Sequence, residues 1–136
     1  MERPANPIPD GFHSATPYLC VDDAAGAIAF YQQAFGAREL MRHTDPDGRI
    51  RHAQFVIGDS PFMISDQFPE FGMIRSVQAM GGSPVSIFLY VPDAAATFAQ
   101  ALAAGAEQIM PLSEQPYGLS GGLRDPFGLL WWPTTP

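Results

Sequence analysis

Leu19-Cys20-Val21-Asp22-Asp23-Ala24-Ala25 passes from an apolar, strand-like stretch into a small-residue helix that closes at Ala34-Phe35-Gly36-Ala37. The same order returns in the second half of the chain as Leu89-Tyr90-Val91-Pro92-Asp93-Ala94-Ala95, closing at Ala103-Ala104-Gly105-Ala106 with one residue fewer inside the helix. A duplicated strand-helix unit of this size makes half of a domain, because each copy carries an apolar face that its twin covers. Two such halves meet along a seam, and seams of this kind hold ligands.

Working outward, alternation of Thr16, Tyr18 and Cys20 with Pro17, Leu19 and Val21 predicts a strand over Ser14 to Val21. Asp22 and Asp23 supply N-cap chemistry, the stripe Ala24, Ala27, Ile28, Tyr31 and Phe35 has helical spacing, and Gly36 sits where a left-handed C-terminal residue belongs. Strands follow at Arg38 to His43, Ile50 to Ile57 and Phe62 to Asp66, separated by the turns Asp45-Pro46-Asp47-Gly48 and Gly58-Asp59-Ser60-Pro61. Residues 67 to 83 have no sustained period and read as the connection between halves. The second half repeats the plan with a strand at Val85 to Val91, a helix at Asp93 to Ala104, and strands at Gln108 to Leu112, Tyr117 to Arg124 and Leu129 to Trp132.

The chain has 136 residues, of which 46% are hydrophobic, enough for one domain with its own core. Its net charge of −7, from seven basic residues that are all arginine, argues against phosphate backbones as partners. Without lysine, Schiff-base chemistry is excluded. The single Cys20 excludes an intrachain disulfide and a thiolate zinc cluster. No apolar run approaches the roughly 20 residues a spanning helix needs, so the expectation is a cytoplasmic protein that binds neither nucleic acid nor membrane.

Strand alternation assigns side chains to faces. Val85, Ile87, Leu89 and Val91 belong under the second helix, which leaves Ser86, Phe88 and Tyr90 on the open face. The repeat maps these onto Thr16, Tyr18 and Cys20, with Leu19 and Val21 under the first helix. In the third strand His52 and Gln54 share a face and form the polar pair aimed at a cavity. Trp131 and Trp132 point to opposite sides, so one packs and the other lines the cavity.

Thr16-Pro17-Tyr18-Leu19, the run from Ala27 to Ala37, Gly48-Arg49-Ile50-Arg51-His52-Ala53, Phe62-Met63-Ile64-Ser65-Asp66 and Arg124-Asp125-Pro126-Phe127-Gly128 together resemble the vicinal-oxygen-chelate superfamily. This group contains glyoxalase I, extradiol dioxygenases, fosfomycin-resistance enzymes and bleomycin-resistance proteins, and the nearest resemblance is to its PhnB-like branch. It implies an α+β fold in one domain, residues 1–136, with two βαβββ modules at about 13–67 and 83–133 whose curved mixed sheets surround a cavity. It also implies a homodimer and a metal held by His or Glu side chains of the first and last strands in each module. Those positions fall here on Thr16, Met63, Ser86 and Trp132, none of which is a histidine or carboxylate.

The expectation is therefore a protein with no metal and no cofactor that binds a hydrophobic or aromatic small molecule. Its ligand-binding residues are Thr16, Tyr18, His52, Gln54, Met63, Ser86, Phe88, Tyr90 and Trp132. The alternative is a glyoxalase- or dioxygenase-like enzyme with a relocated metal or an acid-base site, in which His52 is the catalytic candidate beside Asp66 or Glu70. A third reading fills the concavity with side chains and leaves a dimerisation module.

Overall fold

The computed structural model describes residues 2–72 and 74–136. Its elements run β1 (Tyr18–Val21), α1 (Ala24–Phe35), β2 (Arg38–Thr44), β3 (Ile50–Ile57), β4 (Ser60–Asp66), β5 (Ile87–Tyr90), α2 (Ala94–Ala104), β6 (Glu107–Gln115), β7 (Gly118–Arg124) and β8 (Leu130–Thr135). They form two four-stranded mixed sheets, ordered β1-β4-β3-β2 and β5-β8-β7-β6. In each, the strand before the helix lies parallel to the module's last strand, and the other neighbours are antiparallel. This is an α+β fold made of βαβββ twice.

Both helices start as the sequence predicts. Asp23 Oδ1 accepts from the Gly26 amide at 3.0 Å, and Asp93 Oδ1 accepts from Ala96 at the same distance, each satisfying an orphan donor of the first turn. Gly36 closes α1 at φ 70°, where a side chain would be strained. The residue lost between the repeats lies in the helices, which have 12 and 11 residues.

The first helix buries Ala24, Ala27, Ile28, Phe30, Tyr31 and Ala34, against only Ala94, Phe98 and Ala101 in α2. The larger buried set of α1 includes the aromatic side chains Phe30 and Tyr31, which reach residues of the second half. Trp131 of β8 is fully buried and packs its ring 5.1 Å from Tyr31, 4.7 Å from Phe35 and 5.8 Å from Phe62. Burying each ring of this cluster contributes about 1.5–3 kcal/mol. Asp125 then ties the halves through polar bonds. Its Oδ2 accepts from Tyr31 Oη at 2.7 Å and Trp131 Nε1 at 2.8 Å, and its Oδ1 from the amides of Phe127 at 2.9 Å and Leu129 at 3.0 Å. Four donors compensate a buried carboxylate that has no cation in salt-bridge contact among the described residues. Burial and that neighbouring negative charge push the Tyr31 phenol well above its ordinary value, so it stays a proton donor.

Several boundaries differ from the sequence expectation. β1 begins at Tyr18 rather than Ser14, after a proline that has no amide proton to give. Pro111 sits inside β6 because that strand is a sheet edge, and the register shifts around it. β8 continues three residues past Trp132, with Tyr90 paired to Thr134 beyond Pro133. Val85, expected under the second helix, lies before β5 and is exposed.

The connection between modules is not slack. Its described residues include a 3-10 turn at Pro69–Phe71, and Ser76 is fully buried. Ser76 Oγ donates to Asp22 Oδ1, its amide donates to Gln67 Oε1 at 2.6 Å, and the Val77 amide donates to Cys20 O at 3.0 Å.

Candidate functional site

Each sheet covers a helix with one face and leaves the other open. On the first sheet, register places Tyr18 opposite Met63, Met63 opposite Gln54 and Gln54 opposite Met41, a row that crosses all four strands. The next row holds Cys20 opposite Ser65 and His52 opposite His43. Ala53, Phe55 and Ile57 take the core side of β3, which turns half-buried His52 and Gln54 outward.

Three of these side chains form a chain of bonds. Tyr18 Oη lies 2.6 Å from His52 Nδ1, and Gln54 Nε2 lies 3.1 Å from His52 Nε2. With the amide nitrogen donating to Nε2, a neutral imidazole carries its proton on Nδ1 and donates to Tyr18 Oη, which frees the phenolic proton. Burial and the nearby Cys20 raise the Tyr18 phenol above its ordinary value, so it keeps that proton at neutral pH. Burial likewise raises the Cys20 thiol, which leaves it an uncharged lining group and a poor nucleophile.

The carboxylates that sequence reasoning set beside His52 are engaged elsewhere. Asp66 accepts from the amides of Ala24 at 2.7 Å and Ile50 at 2.6 Å, joining α1 and β3 to the end of β4. Glu70 pairs with Arg49 at 2.6 Å, and that guanidinium holds its carboxyl down to about 2. Arg49 and Arg51 also lie over the Phe68 ring at 4.1 and 4.3 Å, so the clasp fixes the start of the connection.

The second sheet carries aromatic rings in the same rows. Phe88 pairs with Trp132, and Gly122 pairs with Met110. A Cβ on Gly122 would stand 2.5 Å from Trp132 Cζ3, so the indole lies against bare backbone. Trp132 Nε1 donates to Ser86 Oγ at 3.0 Å, which fixes the ring's direction. Phe88 meets Tyr90 at 5.3 Å and Tyr117 at 5.9 Å, both edge to face. Beneath them Ser120 and Thr134 bond each other at 2.8 Å and are buried. Neighbouring Gly121 serves the opposite face, where its missing Cβ admits Phe98 of α2.

The residues predicted to bind ligand thus occupy two faces. Tyr18, His52, Gln54 and Met63 gather on the first sheet, and Ser86, Phe88, Tyr90 and Trp132 on or beside the second. Thr16 is half-buried just before β1. Tyr18 also lines a crevice of about 290 Å³ between β1, the connection and β5. Phe88 and Tyr90 line another of about 330 Å³ against the β3-β4 hairpin at Gly58 and Asp59. Tyr117 is the contributor that sequence reasoning missed. The sequence sets it at the head of a strand over Tyr117 to Arg124, but β7 begins at Gly118, so Tyr117 lies in the β6-β7 turn and the hairpin's path brings it to Phe88.

Among the described residues no three of His, Cys, Asp and Glu stand together as a metal-ligand group. Thr16, Met63, Ser86 and Trp132 offer two hydroxyls, a thioether and an indole donor, a set that does not fit zinc, nickel, manganese or iron.

A repeated βαβββ unit with paired open sheets defines the class. The chain belongs to the Glyoxalase/Bleomycin resistance protein/Dioxygenase superfamily, whose family model matches residues 11–132. An uncharacterized protein of Mycobacterium bovis is 43% identical over 119 residues, covering 85% of this chain and 78% of the relative. The X-ray structure of an Arabidopsis thaliana gene product superposes with a TM-score of 0.73 at 28% identity, covering 90% of this chain and 98% of that one. The PhnB protein of Bacillus cereus superposes with a TM-score of 0.72 over 91% of this chain and 100% of its own, and at 20% identity this shows the shared fold alone. No helix among the described residues is long and apolar enough to cross a membrane.

Proposed function

We propose that this protein is a metal-independent small-molecule binder that holds a planar, hydrophobic compound against the second sheet, acting as a homodimer. The observation that carries this reading is the aromatic open face, where Phe88, Tyr90 and Tyr117 are exposed around a Trp132 ring seated on Gly122 and bonded to Ser86. Aromatic side chains left in water cost apolar solvation, and a stacked ligand relieves it. Ser86 supplies a polar anchor beside the platform. The donor set at the family's ligand positions supports a role without metal.

Titration with 2-naphthol, a neutral planar probe, followed by tryptophan fluorescence tests this. Phe88→Ala and Trp132→Leu each weaken the probe roughly three- to tenfold. Unchanged affinity in both variants, or stoichiometric transition metal in protein purified without chelator, would overturn the proposal. Sedimentation of the native protein as a monomer would remove the dimer from it.

The Tyr18-His52-Gln54 chain favours a second reading, general acid-base chemistry on the first sheet without a carboxylate partner. A His52→Gln variant that keeps probe affinity but loses turnover of a bound compound supports it.

A further inference from the structure

We infer that the crevice between β1, the connecting segment and β5 is a separate binding site for a small amphipathic carboxylate. Its walls are built rather than accidental, because the bonds of Ser76 and Val77 to Asp22, Gln67 and Cys20 pin the connecting segment against β1. Around it the chain leaves Ile74 59%, Met80 66% and Val85 64% exposed, with Tyr18 and Ile87 completing the apolar lining. Three large aliphatic side chains exposed around one crevice mark an interaction site.

One cation stands at this apolar wall. Arg75 lines the crevice, and its guanidinium makes a single long bond, from Nη2 to Ala79 O at 3.3 Å. No carboxylate of the described residues lies within salt-bridge distance of it, as is also true of Arg3 and Arg38, which line no part of this crevice, whereas Arg42, Arg49, Arg51 and Arg124 each have an acidic partner. An unpaired guanidinium beside an apolar groove selects a ligand with a hydrophobic body and an anionic end, and a carboxylate matches its planar fork. The overall negative charge opposes this only weakly, since screening at physiological salt confines each charge to about 8 Å. A crevice of 290 Å³ takes about ten water volumes, the bulk of a chain of about eight carbons with its carboxylate.

Isothermal titration with octanoate, with 1-octanol as the uncharged control, tests the site. Octanoate binds the native protein in the millimolar range or better. Arg75→Gln weakens octanoate about tenfold and leaves octanol unchanged, while Val85→Asp weakens both. Because this site is distinct from the aromatic face, Trp132→Leu leaves octanoate binding intact even where it abolishes 2-naphthol binding. Absence of octanoate binding, or equal binding by Arg75→Gln, overturns the inference. So does a native dimer that Val85→Asp dissociates and octanoate does not, since a second copy would then be the occupant.

Discussion

The open faces of the two sheets are built from repeated strands in the same register, yet they have opposite chemistry. The row Tyr18, Met63, Gln54, Met41 on the first sheet answers to Phe88, Trp132, Gly122, Met110 on the second. The row Cys20, Ser65 answers to Tyr90, Thr134, and His52, His43 to Ser120, Ser113. On one face a phenol, an imidazole and an amide form a polar chain. On the other a glycine stands in Gln54's place and lets an indole lie flat. The comparison teaches that the fold fixes where side chains project while leaving their chemistry free, so superfamily membership gives the address of a site without its reaction.

The joint between the sheets is what keeps the two faces in fixed relation, and breaking it has the largest expected effect. Asp125→Ala strips the acceptor from two side-chain donors and two amides, and urea denaturation should show a loss of roughly 3–5 kcal/mol. A loss below about 1 kcal/mol would mean water replaces the carboxylate there.

Next comes the glycine that distinguishes the faces. Gly122→Val drives a methyl-bearing side chain into the Trp132 ring, costing about 1–3 kcal/mol and changing the near-UV circular dichroism. The reciprocal Gln54→Gly on the first sheet should cost only about 0.5–1 kcal/mol, through backbone freedom. Equal costs would erase the distinction between a platform and an open polar face.

The buried Tyr31 gives the joint a pH signature. Its phenol is raised in the folded protein, so its stabilisation is complete below the ordinary value of 10.0 and is lost as pH rises through the folded value. Stability should fall by about 1.4 kcal/mol per pH unit above 10 while only the unfolded phenol ionises. Tyr31→Phe should flatten that slope in thermal melts taken from pH 9 to 11.

The smallest effect belongs to the clasp over the first sheet. Glu70 is depressed to about 2 from 4.5, so its pairing with Arg49 is present above 4.5 and is lost as pH falls toward about 2. The pair lies at the surface, with the Arg49 and Glu70 side chains 34% and 48% exposed, so Glu70→Gln should leave the melting temperature unchanged and quicken amide exchange only near residues 67–72. A shifted global melt would show that the clasp supports the core.

Much of this was legible in the chain. Asp23 and Asp93 announced the helix starts, the shared order around Leu19 and Leu89 announced the duplication, and alternation put His52 and Gln54 on one face, although only the sheet register brings Tyr18 to them. Trp131 and Trp132 were assigned to opposite faces, and burial separates them that way. Val85 and Tyr117 read as the first residues of strands that in fact begin at Ile87 and Gly118, so alternation misplaced Val85, and the path of the backbone decides where both side chains lie. Asp125 read as turn chemistry, although its partners are Tyr31, 94 residues away, and Trp131.

By itself the sequence determined the two modules, their helices and the faces of residues within the strands, because these follow from local periods and capping chemistry repeated at fixed spacing. Only the tertiary structure decided that β8 packs its tryptophan on the first module's helix. It also decided that Gly122 lies beneath an indole and that a connecting segment with no period of its own walls a crevice with Arg75 beside it. Those outcomes depend on close approach between residues far apart in the chain, and side-chain volume at such contacts has no signature in the order of the letters.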